Sequence, residues 1–236
     1  MNIFSDLFNT ILYQPLLNIL VLLYEYFPGH DFGIAIIILT ILIRLAFYPL
    51  SLKAVVSQKQ LQKLQPRIKE IQEKYKNNKE EMTRAVMELY KKEKINLFSG
   101  CLPVLIQLPI LFTLYQVFWK GFLPEQMALL YSFVPHPGKI NPHFLNFINL
   151  SEPNFYMALL AGFSQFLQAK TADSFHAINK TSKSSQIEAM LQKQMIYLFP
   201  FLTILILSNL PSAISLYWLV SSLFTVLQQY LIFTKN

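Results

Sequence analysis

Gly33-Ile34-Ala35-Ile36-Ile37-Ile38-Leu39-Thr40-Ile41-Leu42-Ile43-Arg44-Leu45-Ala46-Phe47-Tyr48-Pro49-Leu50-Ser51-Leu52 is an almost wholly apolar run with a single charge, Arg44. About 20 apolar helical residues cross the hydrocarbon core of a bilayer, so residues 33–52 read as a transmembrane helix, TM1. The whole chain agrees: of 236 residues, 53% are hydrophobic and 14% charged, where a soluble domain carries about a quarter charged residues. A soluble core of this size could not cover that much apolar surface, and lipid is the simpler solvent.

Past Leu52 the composition inverts. Residues 53–96 hold twelve Lys and Arg and six Asp and Glu. Apolar residues recur at Leu61, Leu64, Ile68, Ile71 and Tyr75, steps of three and four that mark one face of a helix. Lys76-Asn77-Asn78-Lys79 interrupts the pattern, and a second stripe follows at Met82, Val86 and Leu89. Two striped helices joined by a polar turn make an antiparallel hairpin. Pro66, which lacks an amide donor, is expected to kink or to start a helix.

Further along, residues 99–119 form TM2, with Pro103 and Pro109 inside it. Residues 120–153 contain Pro124, Pro135, Pro137, Pro142 and Pro153 and read as an irregular loop. Residues 154–169 form a short TM3 carrying Gln165 and Gln168; residues 170–194 are polar, with Lys170, Lys180, Lys183 and Lys193. Residues 195–233 would make one helix of roughly 58 Å, about twice the hydrocarbon core. Ser208-Asn209-Leu210-Pro211-Ser212 is the turn signal within that run, so it divides into TM4 (195–210) and TM5 (212–233).

Upstream of TM1, residues 1–32 contain no Lys or Arg, so the positive n-region of a secretory signal is missing. Within 11–27 the apolar run is broken by Pro15, Asn18 and Glu25. It reads as an interfacial amphipathic helix, with a membrane span as the alternative. The expected fold is therefore all-α: a polytopic membrane protein with a five-helix transmembrane core, a charged cytoplasmic helical hairpin and an N-terminal interfacial helix.

Cytoplasmic loops collect Lys and Arg. Segment 53–96 holds twelve and 170–194 four, whereas 120–153 holds two. This places the hairpin and the 170–194 loop in the cytoplasm, 120–153 outside, the N-terminus outside and the C-terminus, with Lys235, inside.

Other chemistries find little support. Cys101 is the one cysteine, which excludes an internal disulfide and a cysteine metal cluster. His30, His136, His143 and His176 lack helical ligand spacing. There is no Gly-rich phosphate loop and no nucleophile elbow. The reading is of a protein with no catalytic residue, no metal and no cofactor, hence not an enzyme. The formal net charge of +7 lies between apolar runs rather than on a compact domain, which argues against direct nucleic-acid binding.

Arg44 is the informative residue. A charge at the bilayer centre costs at least ~2.5–3.5 kcal/mol on insertion scales. One reading is snorkelling along the eight residues, roughly 12 Å of helix, that separate it from the end of the run. The other is a water-filled cavity. No Asp or Glu occurs in any of the five spans, while Gln107, Thr113, Gln165, Gln168, Ser215, Ser221, Ser222 and Gln228 place polar groups within them. Such residues can be interhelical glue, or together with an unpaired Arg they can line a hydrated groove whose counter-ion a substrate supplies.

Ile43-Arg44-Leu45-Ala46-Phe47-Tyr48-Pro49-Leu50, then Leu64-Gln65-Pro66-Arg67-Ile68, then Gly100-Cys101-Leu102-Pro103-Val104-Leu105-Ile106-Gln107-Leu108-Pro109, and finally Leu216-Tyr217-Trp218-Leu219-Val220-Ser221-Ser222 with Gln228-Gln229-Tyr230, resemble in order the motifs of the YidC/Oxa/Alb family of membrane protein insertases. The resemblance runs from about residue 12 to 233. It implies a hydrophilic groove open to the cytoplasm and to lipid, with Arg44, Gln168 and Trp218 at family groove positions; Gln107, Gln165 and Ser221, read from their polarity within the spans, join them as candidate lining residues. It also implies a bacterial cytoplasmic-membrane location and, as partners, nascent membrane proteins and membrane lipids, with the ribosome and the Sec translocon as further candidates. The sequence departs from the pattern at Leu97, where Pro usually follows the Asn, and at Ala213, where Gly is common. With no long basic tail after Phe233, tail-mediated ribosome docking is not expected, and neither a large outer domain nor a separate signal anchor is. The alternatives are a small-molecule transporter, for which inverted repeats are missing, and a scaffold whose basic hairpin binds anionic lipid.

Overall fold

The computed structural model describes residues 7–27, 29–93, 102–120, 124–174 and 194–234. Asn96, Leu97, Cys101, His176, Lys180, Lys183, Lys193 and Lys235 lie outside the described residues.

A π-type turn over Asn9–Tyr13 runs into α1 (Gln14–Tyr26). Pro15 sits in the first turn, where the missing amide costs no hydrogen bond. Leu17, Leu20, Val21 and Tyr24 form the buried stripe, and Asn18 is buried with them. The helix α2 (Phe32–Ala46) begins at Asp31, whose side chain accepts from the Ile34 amide at 3.0 Å. A cap of this kind is worth about 1 kcal/mol.

At Phe47 the chain departs from the expected straight span. α2 stops at Ala46, and a new helix, α3 (Tyr48–Lys74), leaves at 64° to it. Pro49 is the cause: its ring would collide with the carbonyl four residues earlier, whereas it fits the first turn of a new helix. The expected division at 52/53 is thus not an element boundary, because α3 runs unbroken from the apolar residues into the charged segment. Pro66 lies inside α3 and neither starts nor ends a helix.

The hairpin closes through Asn78, which caps α4 (Lys79–Lys92) by accepting from the Glu81 amide at 3.2 Å. Glu80 and Glu81 in its first turn and Lys91 and Lys92 in its last complement the helix dipole. Leu64 and Ile68 of α3 are buried, and Met82, Val86 and Leu89 of α4 half-buried, so the two stripes face each other. Arg67 and Glu93 add an exposed ion pair at 2.8 Å, worth at most about 1 kcal/mol. Apolar packing therefore decides hairpin stability.

The remaining elements are α5 (Leu102–Lys120), the one-turn α6 (Pro124–Met127), α7 (Phe155–Ser174), a π-type turn over Gln194–Leu198 leading into α8 (Phe199–Leu207), and α9 (Ser212–Thr234). The turn signal at Ser208–Ser212 falls between α8 and α9. One detail departs from all-α: β1 (His143–Phe144) and β2 (Ile148–Asn149) pair antiparallel inside the 120–153 loop. By length and composition, one described helix, Ser212–Thr234, is apolar enough to cross a membrane alone, and Phe32–Ala46 with Tyr48–Leu61 passes as a bent pair. The apolar stretch Ile196–Leu207 is shorter than a span.

Three helices start at one end of the bundle. The Asp31 carboxylate at the head of α2 also accepts from the Leu145 amide at 2.6 Å. At the head of α9, Ser212 and Ala213 donate amides to Glu152 and Leu150 carbonyls at 2.9 and 3.0 Å. Asn154 caps α7 by accepting from the Met157 amide at 3.1 Å. The 124–153 segment therefore covers the heads of α2 and α9 and runs straight into that of α7. α1 lies along the same cover: Tyr13 donates to Gln126, Asn18 bonds the Leu129 carbonyl and the Tyr131 amide, and the Tyr24 hydroxyl accepts from the Asn141 amide. The core, with Leu17, Phe32, Ile36, Leu114, Ala158, Ala161, Ile214 and Tyr217, fills this half of the bundle.

Gly33 is where α2 meets the cover. A Cβ there would lie 2.1 Å from Cδ2 and 2.7 Å from Cβ of Phe144. Gly33→Ala is expected to destabilise by about 1–3 kcal/mol through overpacking. It should lower the unfolding midpoint in detergent, and Phe144→Leu in the same chain should recover part of the loss.

Candidate functional site

Beyond the core, toward the hairpin, the inward-facing residues change from apolar to polar. Arg44 lies twelve residues into α2, Ser221 nine into α9 and Gln165 ten into α7, which by helical rise puts each roughly 14–18 Å from the covered end. They share one level in the bundle.

At that level Arg44 is half-buried and held by neutral acceptors. Its Nε donates to the Ser221 hydroxyl at 2.7 Å, its Nη2 donates to the same oxygen, and Nη2 also reaches Gln107 Oε1 at 3.4 Å. Gln107 Nε2 in turn donates to the Tyr217 hydroxyl at 2.6 Å. α2, α5 and α9 are thereby joined by an open chain of four side chains, Ser221, Arg44, Gln107 and Tyr217, one of them the cation. Among the described residues no carboxylate lies within ion-pair reach of Arg44, and Nη1 makes no hydrogen bond. A guanidinium fixed through Nε and Nη2, with Nη1 left over, is suited to a further oxygen acceptor, a carboxylate or a carbonyl.

A second pair joins α9 to α7: Trp218 Nε1 donates to Gln165 Oε1 at 3.0 Å. Nearer the hairpin, Gln228 Nε2 donates to the Ser51 hydroxyl at 2.8 Å, and Lys59 Nζ donates to the Ile232 carbonyl at 3.2 Å while lying over the Phe233 ring. These contacts tie the root of the hairpin to the end of α9.

Of the residues singled out from sequence, the structure brings Arg44, Gln107 and Ser221 into one network and Gln165 and Trp218 into another. Gln168, half-buried one turn along α7 from Gln165, joins neither among the described residues. Thr113 bonds locally to the Pro109 carbonyl at 2.7 Å and plays no part here. Tyr217 and Ser51 were not anticipated. Tyr217 lay hidden in an aromatic run beside Trp218, and Ser51 stood past the helix break, although it lies seven residues beyond Arg44.

These features define a helical membrane protein whose bundle has an apolar core at one end and a cluster of polar side chains around a cation, Arg44, toward the other. The family model of the 60Kd inner membrane protein matches residues 22–236. A membrane protein insertase YidC of Fusobacterium nucleatum is 39% identical over 206 residues, 87% of this chain and 88% of the relative. One from Geobacter metallireducens is 37% identical over 216 residues, 92% of this chain but 35% of the relative, so the chain spans about a third of that longer protein. A crystal structure of an active YidC insertase with its first transmembrane domain resolved superposes with a TM-score of 0.62 at 25% identity, over 98% of this chain and 47% of that one. The chain belongs to the 60Kd inner membrane protein family, the family of the YidC membrane protein insertases.

Proposed function

We propose that this chain, as a membrane protein insertase, moves transmembrane segments of nascent proteins from the cytoplasm into the bilayer through the hollow lined by Arg44, Gln107, Gln165, Gln168, Trp218 and Ser221. The observation that carries this reading is Arg44 held, among the described residues, by a hydroxyl and an amide, with its Nη1 unengaged. A structural ion pair would have used that nitrogen. A polar flank entering the hollow finds hydrogen-bond donors and a positive charge in place of hydrocarbon. The driving force lies in the substrate: each large apolar residue entering lipid contributes roughly 0.3–0.6 kcal/mol. No bond is made or broken, so the reading calls for no catalytic residue, metal or cofactor.

In this reading α2, α5, α7, α8 and α9 are five spans. The hairpin end, with twelve Lys and Arg in residues 53–96, faces the cytoplasm of a bacterial cell, and the covered end faces outward. The N-terminus is outside and the C-terminus inside. The core then shuts the hollow toward the outside and leaves it open toward the hairpin. Hydrogen bonds to the cover from Tyr13, just before α1, and from Asn18 and Tyr24 within it support an interfacial placement, since an upright helix would touch an outer loop at one end alone. The segment Gln194–Leu207 has 14 residues, roughly 21 Å of helix against a hydrocarbon core of about 30 Å. A bilayer thinned to meet it shortens the path of the polar flank. Nascent membrane proteins and lipids are the partners this mechanism needs; the ribosome and the Sec translocon would act at the hairpin end.

The test is depletion and rescue. Expression of this chain in bacteria depleted of their own insertase should restore growth and the insertion of a short single-span substrate. Stable membrane integration of the chain without rescue would favour a scaffold.

A further inference from the structure

At the covered end, side chains that a water-facing loop has no use for point outward. Phe147 is 89% exposed, Phe133 69% and Leu145 54%. Residues 140–151 contain no Lys, Arg, Asp or Glu.

The turn that carries Leu145 and Phe147 is firmly built. Phe147 donates its amide to the Phe144 carbonyl at 3.0 Å, the Leu145 amide is fixed on Asp31, and the Phe144 ring lies on Gly33. Leu145 and Asn146 have φ of +51° and +61°. Asn and Gly enter this left-handed region readily, whereas a leucine there meets its own carbonyl. The fold thus holds a leucine where its backbone favours a polar residue or glycine, and exposes it.

Asp31 fixes the depth of this turn. It is both the anchor of Leu145 and the cap of α2, and residues 32–43 carry no charge. Asp31 therefore marks the plane where hydrocarbon ends, and a turn bonded to it lies in that plane. Other exposed rings stand at the same end: Tyr26 closing α1, and Phe155 and Tyr156 opening α7. Aromatic side chains at helix ends are what the headgroup region accommodates.

We propose that the 143–149 turn is a lipid anchor, with Leu145 and Phe147 set among the headgroups and upper acyl chains of the adjacent leaflet. The proposal rests on α2 spanning the bilayer and is independent of the groove. The full chain with Cys101→Ser would carry a single cysteine in place of Phe147, Lys139 or Leu42, each labelled with an environment-sensitive NBD probe. The proteins would be reconstituted into phosphatidylcholine–phosphatidylglycerol vesicles containing lipid spin-labelled near the carbonyl or near the chain end. The probe at Phe147 should emit to the blue of the probe at Lys139 and lose more intensity to the shallow spin label than to the deep one. The probe at Lys139 should respond to aqueous iodide alone, and that at Leu42 most to the deep label. A Phe147 probe behaving as the Lys139 probe does would overturn the anchor, and one shielded from both lipid and water would replace lipid with a protein partner. A Leu42 probe insensitive to lipid would remove the spanning α2 on which the anchor depends. Leu145→Asn relieves the backbone, so it should fold with an undiminished unfolding midpoint yet reduce shallow quenching at position 147; unchanged quenching would count against the anchor as stated.

Discussion

Arg44→Ala is expected to abolish most insertion of a short single-span substrate with an acidic outer flank while leaving the protein as stable as before, or more so. A hydrogen bond to a charged group contributes about 1.5–3 kcal/mol, which corresponds to a loss of roughly 10- to 100-fold in insertion rate if the flank uses Nη1 of the guanidinium. Stability moves the other way because a partly desolvated cation without a counter-charge carries a burial cost that alanine removes. Protease protection of the substrate and thermal unfolding in detergent measure the two effects separately. Neutralising the flank should shrink the Arg44 dependence. Arg44→Lys should keep part of the activity, since it retains the charge but cannot bond Ser221 through two nitrogens. Equal insertion by wild type and Arg44→Ala on both substrates would rule out the groove role and leave snorkelling.

Ser221→Ala should produce the opposite pattern of stability. Ser221 accepts from Nε and Nη2, and without it the guanidinium keeps only Gln107 at 3.4 Å. The loss is expected to be about 1.5–3 kcal/mol, read as a lower unfolding midpoint. In the Arg44→Ala background the same substitution should cost much less, a coupling of about 1–3 kcal/mol in the double-mutant cycle. Additive losses would mean that the hydroxyl matters to packing and not to the cation.

Much of the architecture was legible because lipid imposes coarse rules. Apolar runs long enough to span, a charged segment between them and a Ser-Asn-Leu-Pro-Ser turn are local features, and the elements fall near them. The break at Phe47 was harder. Pro49 was in view, but Pro in an apolar run is compatible with a kinked continuous helix, and only packing decides how far the two parts swing apart. The polar cluster was half legible. Arg44, Gln107 and Ser221 stand out as polar atoms in apolar helices, and the structure brings them together. Tyr217 did not stand out, because a tyrosine among aromatics announces an apolar ring and conceals its hydroxyl. Asn18 was taken as a fault in an apolar helix; its side chain instead supplies both a donor and an acceptor to the outer cover.

The bend at Phe47 has a mechanical consequence. α3 is 27 residues long, so beyond the bend it forms a rod of roughly 40 Å. Ser51, bonded to Gln228, sits only about 6 Å from the pivot. If the rod turns about Phe47, a push at its far end loads the Lys59–Ile232 contact first and the Ser51–Gln228 bond nearer the pivot with a leverage of roughly seven. A swing of ~7 Å at the tip shifts Ser51 by only ~1 Å, yet that is enough to break a 2.8 Å hydrogen bond. Whatever grips the far end of the hairpin holds a long handle on a short bolt.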